Sequence, residues 1–167
     1  GAEAGPCFMT YAHPPRTGIL IYRLPGHRGF IMHGLHLIDE LYDCRCDPQL
    51  LADAAALRGL CLATCSADGL TPVGLVFHQF GNALEPAGAT GAVVLAESHL
   101  AVHTWPETKS VSLDLYVCNF SQDNSSAARD ACRRLISAFA PARVLRRELV
   151  RGLPELAGPI DPTGESD

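Results

Sequence analysis

Glu97, Ser98, His99, His103, Trp105, Glu107 and Cys118 bring a hydroxyl, a thiol, two imidazoles, two carboxylates and an indole into one short central stretch of the chain. Serine and cysteine form covalent intermediates when a neighbouring base activates them. Histidine, with an unperturbed pKa of roughly 6.5, is well suited to be that base near neutral pH. Thr90, eight positions before Ser98, adds a second hydroxyl. These residue types suit nucleophilic and acid–base chemistry on a small molecule.

A sheet must position them. Gly91 to Ala96 is an apolar run of strand length, and Val111 to Val117 alternates apolar and polar residues as a half-buried strand does. On a straight strand, Ser98 and His103 would face opposite sides and stand about 16 Å apart at ~3.3 Å per residue. The chain therefore has to bend or bulge between Glu97 and His103, or the Glu97–Ser98 pair has to lie in a turn; the residues do not choose between these. The same spacing puts His99 and His103 about 13 Å apart, too far to share one tetrahedral zinc with Cys118, so no metal is expected.

The flanking elements follow from periodicity. His33 to Tyr42 reads as a strand, and Asp47-Pro48 supplies an N-cap and N1 proline for a helix over about Pro48 to Cys65, with Leu50, Ala54, Leu57 and Cys61 as its apolar stripe. After Asp68-Gly69, Val73 to Phe80 is a second strand, and a loop from Asn82 to Gly88 feeds the strand that carries Glu97 and Ser98. Ser121 or Asn124 caps a second helix, with Ala128, Cys132, Leu135 or Ile136, and Phe139 on one face; Pro141 ends it, and Ala142 to Val150 is an amphipathic last strand. The order strand, helix, three strands, helix, strand predicts an α+β fold: a two-layer sandwich of two helices on one face of a mainly antiparallel sheet.

The chain has 167 residues and is 47% hydrophobic, enough for one domain with its own core. That domain spans residues 32–152. Residues 1–31, rich in Gly, Pro and Arg, read as an irregular extension with Met32 as a candidate natural start, and 153–167 read as a loose tail. A formal charge of -5, with only a short basic cluster at Arg146-Arg147, argues against nucleic acid or an anionic membrane as partner. No apolar run approaches the roughly 18 residues of a membrane span, and no signal-peptide core is visible, so a cytoplasmic location is expected. The odd count of seven cysteines, mostly inside predicted helices and strands, fits a reducing compartment. Cys44 and Cys46 read as packed, inert thiols, and His33, His36 and His78 as packed histidines.

Glu97-Ser98-His99, the short alternation after it, His103-Thr104-Trp105-Pro106-Glu107 and a strand ending in Cys118 together closely resemble the self-cleavage segment of the prokaryotic S-adenosylmethionine decarboxylases. The tripeptide alone is a weak signal, as a Ser-His pair on a strand is usually plain polarity and a lone Trp is more often a core anchor. Joined to the longer motif at this spacing it is specific, and the likeness extends from about His33 to about Gly152.

The resemblance implies a proenzyme that cuts itself between Glu97 and Ser98. Ser98 would attack the Glu97 carbonyl to form an ester, and His103 would remove the Ser98 α proton. Beta-elimination and hydrolysis would then leave a pyruvoyl cofactor at residue 98, able to form a Schiff base and act as an electron sink for decarboxylation. Thr90, where family members carry a serine, would donate to the oxyanion; Cys118 would return a proton to substrate. Leu100, Trp105 and Glu107 would contact the nucleoside of S-adenosylmethionine, and a homodimer is implied. Asn119-Phe120 replaces a glycine of the family after Cys118 and bears on substrate choice. Arginine or ornithine decarboxylation on the same scaffold is the runner-up, and an unprocessed, non-enzymatic relic the third reading.

Overall fold

The computed structural model describes residues 33–82, 84–120 and 122–152; the extension and the expected tail lie outside the described residues. The elements are β1 (Gly34–Tyr42), α1 (Pro48–Ala52), α2 (Ala54–Ala67), β2 (Pro72–Gly81), β3 (Pro86–Leu95), β4 (Ser98–Trp105), β5 (Ser110–Cys118), α3 (Ser125–Phe139) and β6 (Arg143–Arg151). The six strands form one sheet in the order β2-β3-β4-β5-β1-β6, every neighbouring pair antiparallel. The expected α+β sandwich is the fold of the chain.

Strict alternation assigns each strand residue to a face. Leu35, Leu37 and Leu41 of β1, Val93 and Leu95 of β3, Leu100 and Val102 of β4, and Val111, Leu113, Leu115 and Val117 of β5 are buried with Leu57, Cys61 and Cys65 of α2 and Ala128, Cys132, Leu135 and Phe139 of α3. Each fully buried leucine or phenylalanine contributes about 1.5–3 kcal/mol of transfer free energy, so this layer supplies much of the stability. The opposite face carries no helix among the described residues.

Two local readings change. The helix expected over 48–65 is two helices, because Asp53 is extended (φ -113°, ψ 117°) and its carboxylate accepts from the backbone N–H groups of Ala55 and Ala56. Gln79 of β2 holds the break, accepting from Ala54 N–H at 2.7 Å and donating to Ala52 O at 2.7 Å and Gly88 O at 2.8 Å. The strand expected to run through Glu97 and Ser98 is also two elements, β3 and β4, joined at Ala96-Glu97. Cys44 and Cys46 sit in the β1–α1 connection, one buried and one half-buried, both as free thiols.

One charge lies inside the helix-covered layer. Asp39 is fully buried, and Arg146 of β6 meets its two oxygens in a fork at 2.7 and 3.0 Å. Breaking such a pair from one side strands a buried charge. Arg146→Met should lower unfolding stability by about 3 kcal/mol in urea titrations, and adding Asp39→Leu should recover most of the loss, because removing both charges ends the desolvation cost. A second outcome concerns thiols. Burial pushes Cys61 up to about 12 and Cys44 and Cys65 up to about 11 from 9.0. At pH 8 these groups should resist iodoacetamide in the folded protein and label fully in denaturant. Since the folded thiols hold their protons more tightly than the unfolded ones, their contribution to stability is complete below pH ~9 and is lost as pH rises toward those values.

Candidate active site

The junction between Glu97 and Ser98 lies in a turn. Leu95 and Ser98 are cross-strand partners, leaving Ala96-Glu97 as a two-residue hairpin loop, and from there the β3–β4 register continues unbroken to His103 and the β4–β5 register to Trp105. Of the two ways of accommodating Ser98, the chain uses the turn and not a bulge. Three contacts fix the loop: Ala96 N–H donates to Thr71 O at 2.9 Å, Thr71 N–H donates to Glu97 Oε2 at 3.0 Å, and Cys118 N–H donates to Glu97 O at 2.8 Å. The last of these is aimed at the carbonyl that Ser98 would attack. A backbone donor on that oxygen polarises it and is already placed for a developing oxyanion.

Beside the turn, Ser98 Oγ lies 3.2 Å from His99 Nδ1, and on the open face His99 Nε2 lies 3.2 Å from Asp114 of β5. His36 of β1 points Nε2 at both Asp114 oxygens at 2.9 Å. One ligand-type atom from each of His36, His99 and Asp114 lies within 4.8 Å of the others, so this is also where a cation could sit among the described residues. The Tyr116 ring borders both imidazoles, and Arg151 of β6 stacks over Tyr116 at 4.4 Å. Cys118 is half-buried at the end of β5, on the same alternation as Asp114 and Tyr116.

A second group occupies the other end of the open face. Thr90 and His103 are direct cross-strand partners, with Thr90 Oγ1 2.6 Å from His103 Nδ1. Trp105, 41% exposed, has its ring 6.2 Å from that of His103, and Glu107 lies in the exposed turn after it. Five residues of regular strand separate His103 from Ser98, about 16 Å. Within one chain, therefore, neither Thr90 nor His103 reaches Ser98, and the donor on the Glu97 carbonyl is the Cys118 amide, not the Thr90 hydroxyl expected there.

Leu100 also needs correction. It is 1% exposed and points into the helix-covered core, because its position in the alternation is opposite to that of His99 and Ala101. It packs and does not contact a ligand on the open face. Thr104, inside the same motif, is structural: buried, it accepts from Ala89 N–H at 2.9 Å and donates to Leu51 O at 2.7 Å, tying α1 to β3 and β4. Gly88 (φ +104°) completes that corner, where a Cβ would come within 2.5 Å of Thr104 O and 2.9 Å of Pro106 Cδ.

Sequence reasoning left out Asp114, His36 and the partnership of His99. The usable signal was parity: Asp114 is the one charged residue of β5 and shares the polar alternation, and His36 and His99 do so on their own strands. Asn119 does not free the backbone beside Cys118 as a glycine would. Its side chain accepts from Asn124 N–H at 2.9 Å and donates to Ser125 Oγ at 3.1 Å, joining β5 to α3.

A sequence profile described as S-adenosylmethionine decarboxylase matches residues 35–152. The chain is 34% identical over 134 residues to an S-adenosylmethionine decarboxylase proenzyme of Synechococcus sp. (strain WH7803), covering 80% of this chain and 97% of that protein. It is 37% identical over 122 residues to the proenzyme of the same name from Hydrogenobaculum sp. (strain Y04AAS1), covering 73% and 84%. The crystal structure of the adenosylmethionine decarboxylase from Aquifex aeolicus superposes with a TM-score of 0.64 at 30% identity, over 76% of this chain and 97% of that one. The profile takes in the whole sheet, both reactive groups and all three helices, and on that extent of agreement the chain belongs to the S-adenosylmethionine decarboxylase family.

Proposed function

We propose that the chain is a proenzyme that cuts itself between Glu97 and Ser98 and then decarboxylates S-adenosylmethionine through a pyruvoyl group made from Ser98. The observation that carries this reading is the 2.8 Å hydrogen bond from Cys118 N–H to the Glu97 carbonyl, in a turn whose next residue is a serine.

The chemistry follows from that geometry. Ser98 Oγ adds to the Glu97 carbonyl carbon, and the Cys118 amide stabilises the negative oxygen; one such donor contributes about 2.7–4 kcal/mol in acyl-transfer enzymes. Collapse expels the Ser98 nitrogen and leaves an ester. A base then takes the α proton of residue 98, the Glu97 carboxylate leaves, and the dehydroalanine hydrolyses with loss of ammonia. The residues around the turn fit the product, since the side of residue 98 toward β5 ends in the half-buried Cys118. The finished group supplies a carbonyl that condenses with the substrate amine and takes up the electron pair released as carbon dioxide departs. Cys118 is assigned the proton returned to substrate.

His103 is the candidate base for the elimination, held by Thr90, but its own chain's Ser98 is out of reach. A second copy resolves the distance. The open face exposes Val76 by 66% and Val94 by 50% on β2 and β3, and Leu145 by 51% and Leu149 by 48% on β6, apolar side chains toward both edges of the sheet that a second copy would cover. In a two-fold pairing of this face with itself, His103 of one chain approaches Ser98 of the other, and the reciprocal contact follows by symmetry. Trp105 and Glu107 accompany His103 and are assigned to the nucleoside, whose ribose hydroxyls a carboxylate can accept.

The test is direct. The wild-type chain should give fragments 1–97 and 98–167, the second blocked to Edman chemistry, and release carbon dioxide from S-adenosylmethionine; Ser98→Ala should remain one inactive chain. His103→Ala should stop at the ester and yield fragments when hydroxylamine is added. Co-expressed Ser98→Ala and His103→Ala chains should process the second chain, because the first still offers a histidine; failure to complement would remove the shared site. Methylthioadenosine should inhibit competitively, and Glu107→Gln should weaken it by about 1.5–3 kcal/mol, the value of a charge-assisted hydrogen bond. Turnover of arginine or ornithine with indifference to methylthioadenosine would favour the runner-up substrate.

A further inference from the structure

The base for the elimination leaves the first step without one, since the Ser98 hydroxyl must lose its proton as Oγ bonds to the Glu97 carbonyl. We infer that His99 is the general base of that acyl shift, oriented by Asp114 and His36, so that Ser98 and His99 form a proton relay that Asp114 holds in place in the proenzyme. The inference rests on self-cleavage at Glu97–Ser98.

Proton inventory fixes the roles. Asp114, ionised, only accepts. His99 Nε2 at 3.2 Å and His36 Nε2 at 2.9 Å from it are then both N–H donors. In neutral His99 a protonated Nε2 leaves Nδ1 as a lone pair, and that lone pair faces Ser98 Oγ at 3.2 Å. A serine hydroxyl meeting an imidazole lone pair, with the far nitrogen held by a carboxylate, is the arrangement by which a base activates a nucleophile and a third group fixes its tautomer. The groups facing His99 are Asp114 and Tyr116 from β5, His36 from β1 and, across β3, the apolar Val94.

The step balances without a co-reactant. The bond from Ser98 Oγ to the Glu97 carbonyl carbon forms as the hydroxyl proton passes to His99 Nδ1. The bond from that carbon to the Ser98 nitrogen breaks as His99 returns the proton to the departing nitrogen. The oxyanion rests on Cys118 N–H, 2.8 Å from the carbonyl oxygen. His99 contacts the reacting hydroxyl and is catalytic; Asp114 and His36 are positioning residues. His103, on the other reactive group, acts only after the ester exists. The two histidines of the motif thus serve successive steps.

Hydroxylamine separates them. Full-length chains made in a cell-free system would be followed by denaturing gel and intact mass, with and without hydroxylamine. His99→Ala should slow cleavage on the order of 100-fold or more, the scale of general-base catalysis, with no ester for hydroxylamine to split. His103→Ala should give abundant hydroxylamine-released fragments. Asp114→Asn should slow cleavage at least tenfold, again without ester, and Asp114→Glu should recover part of the rate, a pattern that loss of packing alone does not produce. Folding is judged by circular dichroism, and Asp114→Asn, which changes charge at nearly constant volume, carries the reading if the alanine chain fails to fold. A His99→Ala chain that cleaves within threefold of wild type, or that accumulates ester, overturns the relay. So does cleavage abolished by a chelator and restored by zinc, which would place a metal at the same three side chains. Wild-type chain that stays whole would instead remove self-cleavage itself.

Discussion

The hydrogen bond from the Cys118 amide to the Glu97 carbonyl is the constraint on which the site depends. It extends the β4–β5 ladder one step beyond the strand, into the turn, so the Glu97 carbonyl is held by the sheet and not by a free loop. The next peptide, Cys118–Asn119, is itself fixed on both sides. Asn124 Nδ2 donates to Cys118 O at 2.9 Å, and Asn119 N–H donates to His33 O at 2.9 Å, so the start of α3 and the start of β1 hold the donor in place. Thr71 then clamps the turn from the other side. A carbonyl bound at both its own oxygen and its neighbouring side chain loses little further entropy on reaching a tetrahedral geometry, which is what a preorganised donor provides.

The sheet separates structural from chemical duties by parity. Residues facing the helices are mostly Leu, Val and Ala, joined by Thr104, Gln79 and the Asp39–Arg146 pair; residues facing away include Thr90, His99, His103, Asp114 and Cys118. Shifting the register of β4 by one residue would exchange the two sets, so the buried Leu100, Val102 and Thr104 fix where the histidines point. Thr104 is the firmest of these, because a buried hydroxyl satisfied by Ala89 and Leu51 cannot move without stranding two backbone groups. The Leu-Ala-Val-His-Thr run of the motif is therefore partly a core requirement and partly chemistry, in alternate residues.

Much of this was legible. Period-two alternation located the strands and their faces, and Asp47-Pro48 and Pro141 located helix ends by known cap and breaker chemistry. The hairpin was not legible because Ala96-Glu97 contains no Gly, Asn, Asp or Pro, the residues that announce a two-residue turn. Its stability comes from Thr71 and Cys118, both more than 20 positions away in sequence, and no local pattern encodes that. The break at Asp53 was hidden for a similar reason, since Gln79 supplies the compensating bonds from β2. Leu100 was read by resemblance when its parity already placed it in the core. Conversely, Asp114 stood on the right face but has meaning only once β1 and β4 are known to flank β5.

The separation of the two reactive groups along one strand orders the chemistry on the proposed pairing. The acyl shift needs only groups of one chain: Ser98, His99 and the Cys118 amide. That exchange of amide for ester is reversible, so it does not by itself commit the chain to cleavage. Elimination at Ser98 needs a base there, and the proposed base of the same chain, His103, stands about 16 Å away along the strand. On the proposed pairing the irreversible step is available only once the open face is covered, when water is also excluded from the ester and every polar contact there strengthens. A proenzyme built this way commits its backbone to cleavage only in the assembly that will use the product, because the proposed base, His103 with Thr90 behind it, stands beside the Trp105 and Glu107 assigned to the substrate.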